Sequence, residues 1–388
     1  MASKMTTRPL HVVPTSCGTT RTAPANPHTL FHKLHMPHAL RTPRLKCRNL
    51  HKQPLALRAS SLEHSPGPVF ETFRDRFHFT EEALRKKLTS DCNRIYNLDF
   101  DEEDFHDSTK LNDCLPTYWQ AMGAQPRCLI EQIIDDIFSW HIARLGLHES
   151  RIIDPHVAGA EWWVMYLDGR ADEVDWHWDV DGAARELEDI RHPYLATVTY
   201  LEAGGRAAPT AMIDGCYKAP TLASGEALVR AVHLSTPLLG KHICFDGRLL
   251  HAAPSDLSGC FAKKSGRKGA RVTLLVNLWL DSKPADAQTL TDKSASRLTP
   301  VQAPALYTGS CEAAEVAEIA VAKEADTKCW KFEEATSAWH ELVIEFPVPP
   351  RGSLGDEDSV TLRFEEGVHG TVQTQDNWLG LHGVSIAD

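Results

Sequence analysis

Nowhere in its 388 residues does the chain hold a run of 18 consecutive apolar residues, so no segment reads as a membrane span. It has no acidic residue before Glu63, no two cysteines in a CxxC, and no evident internal repeat. Without CxxC pairs or tight cysteine spacing, neither a zinc ribbon nor a secreted disulfide framework is indicated, and the ten cysteines read as reduced thiols. Ten Lys and Arg precede Glu63, so the formal net charge of −11 conceals a remainder about ten units more negative. A body that acidic repels phosphate backbones, which argues against a nucleic-acid partner.

What is present divides into four parts. Residues 1–60 are basic, acid-free and rich in Thr, Pro and His, with no apolar core of a secretory signal, and they read as a removable organelle transit peptide. Plentiful Thr and Pro and the stretch Leu57-Arg58-Ala59-Ser60 favour the chloroplast over the mitochondrion. Residues 61–150 read as mainly helical. Thr80 followed by Glu81 and Glu82 is an N-cap with first-turn acids, and the helix continues through Leu88. Leu129 to Ile142 repeats apolar pairs every four residues, an amphipathic stripe that must bury against something, with His141 at the core edge.

Residues 151–285 change period. Trp162 to Leu167, Leu195 to Leu201, Ala227 to Leu234, Lys241 to Phe245 and Arg271 to Leu280 are short β-rich runs, and Gly and Pro turns such as Asp168-Gly169 and Asp246-Gly247 divide them. Such spacing predicts an α+β protein whose core is a sandwich or double-sheet jelly roll with helices flanking it. In residues 286–388, Glu312 to Asp326 is Ala- and Glu-rich and predicted helical, while Leu342 to Phe346 and Val360 to Phe364 alternate like half-exposed strands that extend the sheets or form a small appendage.

The chemistry concentrates in Trp176-His177-Trp178-Asp179-Val180-Asp181. In a strand, residues two apart point the same way, so His177 and Asp179 can grip one metal ion. His251, in Gly247-Arg248-Leu249-Leu250-His251-Ala252-Ala253-Pro254, is the candidate third ligand. Two His and one carboxylate with open positions suit non-haem Fe(II). Asp181 is a competing carboxylate, though it would share the face of His177 only if the strand ran on through Gly182. Neutral His177 and His251 with ionised Asp179 leave an Fe(II) site near +1, and a chelating dianionic 2-oxo acid takes it to about −1. Arg271 and Thr273, two apart on one strand, offer the distal carboxylate a bidentate cation and a hydroxyl. An isolated His-x-Asp is common by chance; His251 and the Arg271/Thr273 strand are what raise it to a site. His192, His233 and His242 have no partner spacing and read as surface or core. Trp176 and Trp178 read as walls, and the Ser255 to Gly269 insert, with Lys263, Lys264, Arg267 and Lys268, is a solvated loop or a lid beside His251.

Taken together, His177-Trp178-Asp179, His251 and Arg271-Val272-Thr273 resemble the HxD…H…RxS/T signature of Fe(II)/2-oxoglutarate-dependent dioxygenases. The flanks are similar to the prolyl-4-hydroxylase-like branch: Tyr166 ahead of the HxD, the stretch Ala196 to Leu201 with Gly204-Gly205, and Phe245 leading into His251 and Pro254. The resemblance spans roughly residues 160 to 281. It implies a double-stranded β-helix (jelly-roll, cupin-like) core, with Fe(II) on His177, Asp179 and His251. It further implies 2-oxoglutarate on Arg271, Thr273 and Tyr166, ascorbate as a candidate accessory, and release of succinate and CO2 as a C–H bond of a small-molecule or peptidyl substrate is oxidised. The branch usually has Lys where Arg271 stands and an acid where Arg206 stands, and its interval corresponding to His251–Arg271 is shorter. The alternative is a cupin-like metal- or ligand-binding protein without catalysis, in which Arg271 has no evident role.

Overall fold

In the computed structural model, the described residues are 68–97, 116–150, 152–167, 173–181, 191–204, 208–214, 226–261, 270–302, 309–321, 327–334, 340–364 and 371–374. They belong to one unit, Leu62–Asp388, that is mostly sheet with few helices.

The four-residue stripe folds as helix α2, Leu129–Arg144, and all of Leu129, Ile130, Ile133, Ile134, Ile137 and Phe138 are buried. Helix α1, Glu82–Tyr96, buries Leu84, Leu88, Cys92 and Ile95 along one side. Its cap position is Glu81, one residue after the expected Thr80, and no side chain caps it. Arg85 ties α1 down by pairing with Glu82 in its own turn and with Glu202 beyond it. A third, five-residue helix, α3, spans Asp292–Ser296, with Thr291 capping it by accepting from the Ser294 amide at 3.0 Å.

Both helices cover one face of a six-stranded antiparallel sheet. Its order is β1 (Phe70–Phe73), β9 (His242–Asp246), β5 (Leu195–Ala203), β11 (Arg271–Trp279), β3 (Gly159–Leu167) and β2 (Tyr118–Ala121). A second six-stranded sheet runs β12 (Ala317–Val321), β15 (Ser359–Phe364), β8 (Ala231–Ser235), β6 (Thr210–Asp214), β10 (Leu250–Ala253) and β4 (Val174–His177), antiparallel except for β12 with β15. The strand period of two sorts the side chains of β11. Val272, Leu274, Val276 and Leu278 join the helices' apolar cluster. Leu275 joins Val198, Tyr200 and Phe245 of the first sheet and Met212 of β6 in a core between the sheets. Arg271, Thr273 and Asn277 share that inward parity with Leu275.

A third sheet, β13 (Thr327–Glu334), β14 (His340–Pro347), β16 (Thr371–Thr374) and β7 (Glu226–Leu228), backs the other face of the second. There Ile344 and Phe346 pack with Trp176, Trp178, Ala211 and Leu250.

Several expectations change. Glu312 to Asp326 is not a helix: Ala317–Val321 is strand β12, paired in parallel with β15, and 322–326 lie outside the described residues. Pairing with an open sheet edge and partial burial of alternate side chains override the Ala/Glu helical preference. Ala227 to Leu234 is two strands in two sheets, β7 and β8, broken at Val229-Arg230. Residues 61–150 are not simply helical, because β1 and β2 close both edges of the first sheet. Of the two strands expected in the tail, Val360 to Phe364 falls in β15, which extends the second sheet beside the unexpected β12, and Leu342 to Phe346 falls in β14, which joins β13, β16 and β7 in the third. The predicted turn at Asp168-Gly169, residues 1–60, and Lys263 to Gly269 of the basic insert lie outside the described residues. Ser255–Cys260 of that insert form a short 3-10 helix. All described cysteines, Cys92, Cys128, Cys244, Cys260, Cys311 and Cys329, are free.

Candidate metal centre

The sheet register brings the separated histidines together. On β10, His251 pairs with His177 on β4, and the ring centroids lie 4.2 Å apart. Asp179, two residues past His177, turns its carboxylate between them: Oδ1 is 3.6 Å from His177 Nε2, and Oδ2 is 3.6 Å from His251 Nε2. The candidate ligand atoms of all three lie within 4.8 Å of one another.

Each histidine's other nitrogen is occupied by its own strand. His177 Nδ1 lies 2.7 Å from the Asp175 carbonyl, and His251 Nδ1 lies 3.0 Å from the Leu249 carbonyl. A carbonyl only accepts, so each Nδ1 carries the proton and, in a neutral ring, each Nε2 carries a lone pair. Burial and the neighbouring His251 hold His177 neutral, pushing its pKa down to about 4 against the pull of Asp179. Two lone pairs therefore face one carboxylate at a separation too long for a hydrogen bond. A cation between them removes that repulsion, and the donor set fits one.

Asp179 is itself held. Asn277 of β11 donates from Nδ2 to Asp179 Oδ2 at 3.0 Å, and His192 Nδ1 donates to the Asp179 carbonyl at 2.9 Å. Asn277 pairs in register with Glu161 of β3, whose carboxylate accepts from Trp279 Nε1 at 3.0 Å. Burial and then the charge of Asp179 push the Glu161 pKa up to about 7. Asp181, the competing carboxylate, is buried elsewhere and accepts from the Ala285 amide at 3.0 Å. Asn277 and Glu161 were not singled out in the sequence, and His192 was read there as a surface or core residue. Asn277 alone had a signal, because it shares the inward parity of Arg271 and Thr273.

Arg271 lies between the sheets, 4% exposed. Its guanidinium donates to the Ala208 carbonyl at 2.6 Å and to Thr210 Oγ1 at 2.9 Å, and it sits 5.4 Å from the Tyr200 ring centroid. Its Nε has no partner, and no carboxylate among the described residues pairs with it. Burial pulls its pKa down while Tyr200 raises it. A buried cation lacking a counter-ion is costly unless an anion arrives. Thr273 is buried opposite Tyr200 in register. Thr210 stands two residues along β6 from Met212, the residue paired with His251, roughly 7 Å of strand. Lys241, fully buried, approaches the same Tyr200 ring at 5.4 Å and donates to the Asp358 carbonyl at 2.8 Å.

Other expected roles move. Tyr166 does not face the cluster: it pairs with Val272 on the helix side of the first sheet and lies 5.9 Å from the Tyr96 ring of α1. The alternation that turns His177 inward turns Trp176 outward, and Trp176 meets Phe346 edge-on at 6.2 Å. Trp178 is buried in the same outer cluster, so neither tryptophan is a wall of the site. His141 and His242 are fully buried and bonded to each other, and His233 stacks on Phe70 at 5.1 Å. Gly205 and Arg206 lie outside the described residues.

No protein-family model matches the chain, and no curated protein matches it. The solved structures to which it is similar include prolyl-4-hydroxylases and other 2-oxoglutarate–Fe(II) oxygenases. Among them is a Pseudomonas putida prolyl-4-hydroxylase, 15% identical, covering 56% of this chain and 88% of that one at a TM-score of 0.31. Another is the viral collagen prolyl hydroxylase of Paramecium Bursaria Chlorella virus-1 in its 2-oxoglutarate complex, 16% identical, covering 55% and 96% at 0.29. A third is HygX of Streptomyces hygroscopicus with iron bound, 13% identical, covering 57% and 88% at 0.28.

Proposed function

We propose that the protein is an Fe(II)- and 2-oxoglutarate-dependent dioxygenase built on a double-stranded β-helix. The observation that carries this reading is the pair of Nε2 atoms at 3.6 Å from the two oxygens of one carboxylate, with both Nδ1 atoms already bonded to backbone carbonyls. His177, His251 and Asp179 would hold the metal, and this donor set, with positions left open, suits Fe(II). When bound, Fe(II) with 2-oxoglutarate and O2 supplies oxidative decarboxylation to succinate and CO2, coupled to oxidation of a C–H bond.

The chain's own residues then have separable tasks. The Asp175 and Leu249 carbonyls fix the tautomer and aim of the two imidazoles. Phe245 packs against the His251 ring with centroids 5.0 Å apart and helps exclude water. Arg271, pre-aimed by Ala208 and Thr210, takes the distal carboxylate of the co-substrate, and Thr273 stands beside it. Tyr166 has no part in that binding. The substrate is a small molecule or a peptidyl group presenting an unactivated C–H bond.

Iron-loaded protein given 2-oxoglutarate, O2 and ascorbate should release succinate, and His177→Ala and Asp179→Ala should each reduce release to background. Turnover at the native rate in both variants would end this assignment. The acid-free first 60 residues support import into the chloroplast, or failing that the mitochondrion. An intact Met1 end on protein isolated from its source cells would exclude a cleaved leader.

A further inference from the structure

We infer that His192 is a positioning residue whose ring N–H, bonded to the Asp179 carbonyl, fixes the main chain from which the Asp179 carboxylate reaches the metal position. The inference rests on the metal reading above and names a residue outside the ligand set on which metal affinity depends.

The need for such a residue follows from where β4 ends. Alternation along a strand would set Asp179 beside His177 without further help, but β4 stops at His177, and Trp178 to Asp181 lie past it in irregular chain. No strand ladder therefore fixes the main chain of Asp179. Among the described residues it is held instead by side chains: Asn277 Nδ2 donates to its carboxylate at 3.0 Å, and His192 Nδ1 lies 2.9 Å from its carbonyl oxygen. A carbonyl only accepts, so Nδ1 carries the proton. The first bond restricts how the carboxylate turns. The second fixes the backbone, and with it the direction in which the side chain leaves the chain.

The segment that carries His192 is itself anchored. The Asp181 amide donates to the Arg191 carbonyl at 3.0 Å, which ties the chain just after Asp179 to the chain just before His192. The Tyr194 amide donates to the Leu278 carbonyl of β11 at 2.8 Å. Gly247 lies so close to Pro193 that an added Cβ would sit 2.2 Å from the Pro193 carbonyl oxygen. Gly247 belongs to the turn between β9 and β10, the strand of His251. His192 therefore stands on chain braced by β11 on one side and by the approach to a second ligand on the other, and it passes that fixed position to Asp179. A ligand held near its bound place has less conformational freedom to lose when an ion arrives, so its affinity rises.

The test measures Mn(II) affinity of the full-length protein by calorimetric titration, beside the circular dichroism and Tm of the metal-free protein. His192→Leu removes the donor and should weaken Mn(II) binding by about 10–100-fold, the usual cost of losing a residue that orients a ligand. His192→Asn carries a nitrogen donor on Cγ, as the imidazole carries Nδ1, and should keep the affinity within about three-fold of wild type. A packing role would be served by leucine at least as well as by asparagine and would not give that order. Nitrogen NMR of wild type with isotope-labelled histidine should show a proton on His192 Nδ1, a reading that needs no leucine variant; the His192 signals are assigned by their loss in His192→Asn. Should His192→Leu not fold, His192→Ala takes its place. A folded variant without the donor that binds Mn(II) within about two-fold of wild type, His192→Asn as weak as His192→Leu, or an Nδ1 without a proton overturns the inference while the metal reading stands. Wild-type protein that binds no Mn(II) overturns the metal reading itself.

Discussion

Among the described residues two histidine pairs stand out, one between the two six-stranded sheets, where His251 is buried and His177 half-buried, and one fully buried between the first sheet and α2, and their nitrogens are engaged differently. In the outer pair, His141 Nε2 lies 2.9 Å from His242 Nε2, and His242 Nδ1 lies 2.8 Å from Thr199 Oγ1. The Arg144 guanidinium approaches His141 Nδ1 at 3.4 Å. An arginine only donates, so His141 donates to His242 and His242 donates to Thr199, and each ring nitrogen has a partner. In the inner pair both Nε2 lone pairs face Asp179 beyond hydrogen-bonding reach. Three of the four rings are buried and His177 is half-buried, so burial does not by itself separate the pairs. What distinguishes a structural histidine pair from a metal-binding one is whether the nitrogens satisfy one another or converge on an acid.

The comparison breaks most sharply under exchange of substitutions. His251→Ala should weaken Mn(II) binding by more than about 100-fold, beyond the loss expected of a residue that only orients a ligand. His141→Leu should leave that affinity within about two-fold while costing about 1–3 kcal/mol of stability, because His242 is left unsatisfied. Calorimetric titration and denaturant unfolding of both variants would read this, and metal loss in His141→Leu equal to that in His251→Ala would dissolve the distinction.

Arg271 sharpens the inner half of the comparison. Removing its charge in Arg271→Leu should raise the KM for 2-oxoglutarate by about 10–100-fold, the equivalent of a charged hydrogen bond worth about 1.5–3 kcal/mol. Mn(II) affinity without co-substrate should not change. An unaltered KM would mean that the distal carboxylate binds elsewhere, with the buried Lys241 beside the same Tyr200 ring as the next residue to test.

The smallest effect separates the pairs by pH. Burial, with Arg144 and Arg76 adding positive charge nearby, holds His141 and His242 well below the usual 6.5 in the folded state. Glu71, paired with Arg144 at 2.7 Å, is the acid facing this cluster from β1, and Cys244 lies beside both. Below pH 6.5 the unfolded chain takes up protons that the folded chain refuses. Stability fully present above that pH is therefore lost as pH falls, at up to about 1.4 kcal/mol per unit for each group. The Tm of His141→Leu/His242→Leu should accordingly fall less than that of wild type between pH 7 and 5.5, and parallel slopes would remove these residues from the acid response.

Much of the architecture was legible because periodicity is local. The helix expected over Leu129 to Ile142 is Leu129–Arg144, and the strand expected over Leu195 to Leu201 is Leu195–Ala203. The three residues proposed as ligands could be chosen from spacing, since His177 and Asp179 are two apart, and His251 stood out by its flanks. What failed depends on partners distant in sequence. Tyr166 was assigned to the co-substrate although its face is set by pairing with Val272, 106 positions away. The Ala/Glu-rich segment became β12 because β15 offered it an edge. Asn277 and Glu161 meet only through a register that no single-strand pattern encodes. Trp176 could have been read better, since the alternation that turns His177 inward turns its neighbour away.

One further consequence lies in the strand order of the second sheet. β8 is paired on one side with β6, which neighbours the His251 strand, and on the other with β15, drawn from Ser359–Phe364. During synthesis, a chain that has emerged through Thr273 already carries every proposed ligand, yet β8 still presents an unpaired edge until nearly ninety further residues follow. Such long-range closure is slow and leaves a strand edge open to other chains while it waits. A nascent chain stalled before Ser359 should therefore depend on chaperones, although its metal-binding side chains are all present.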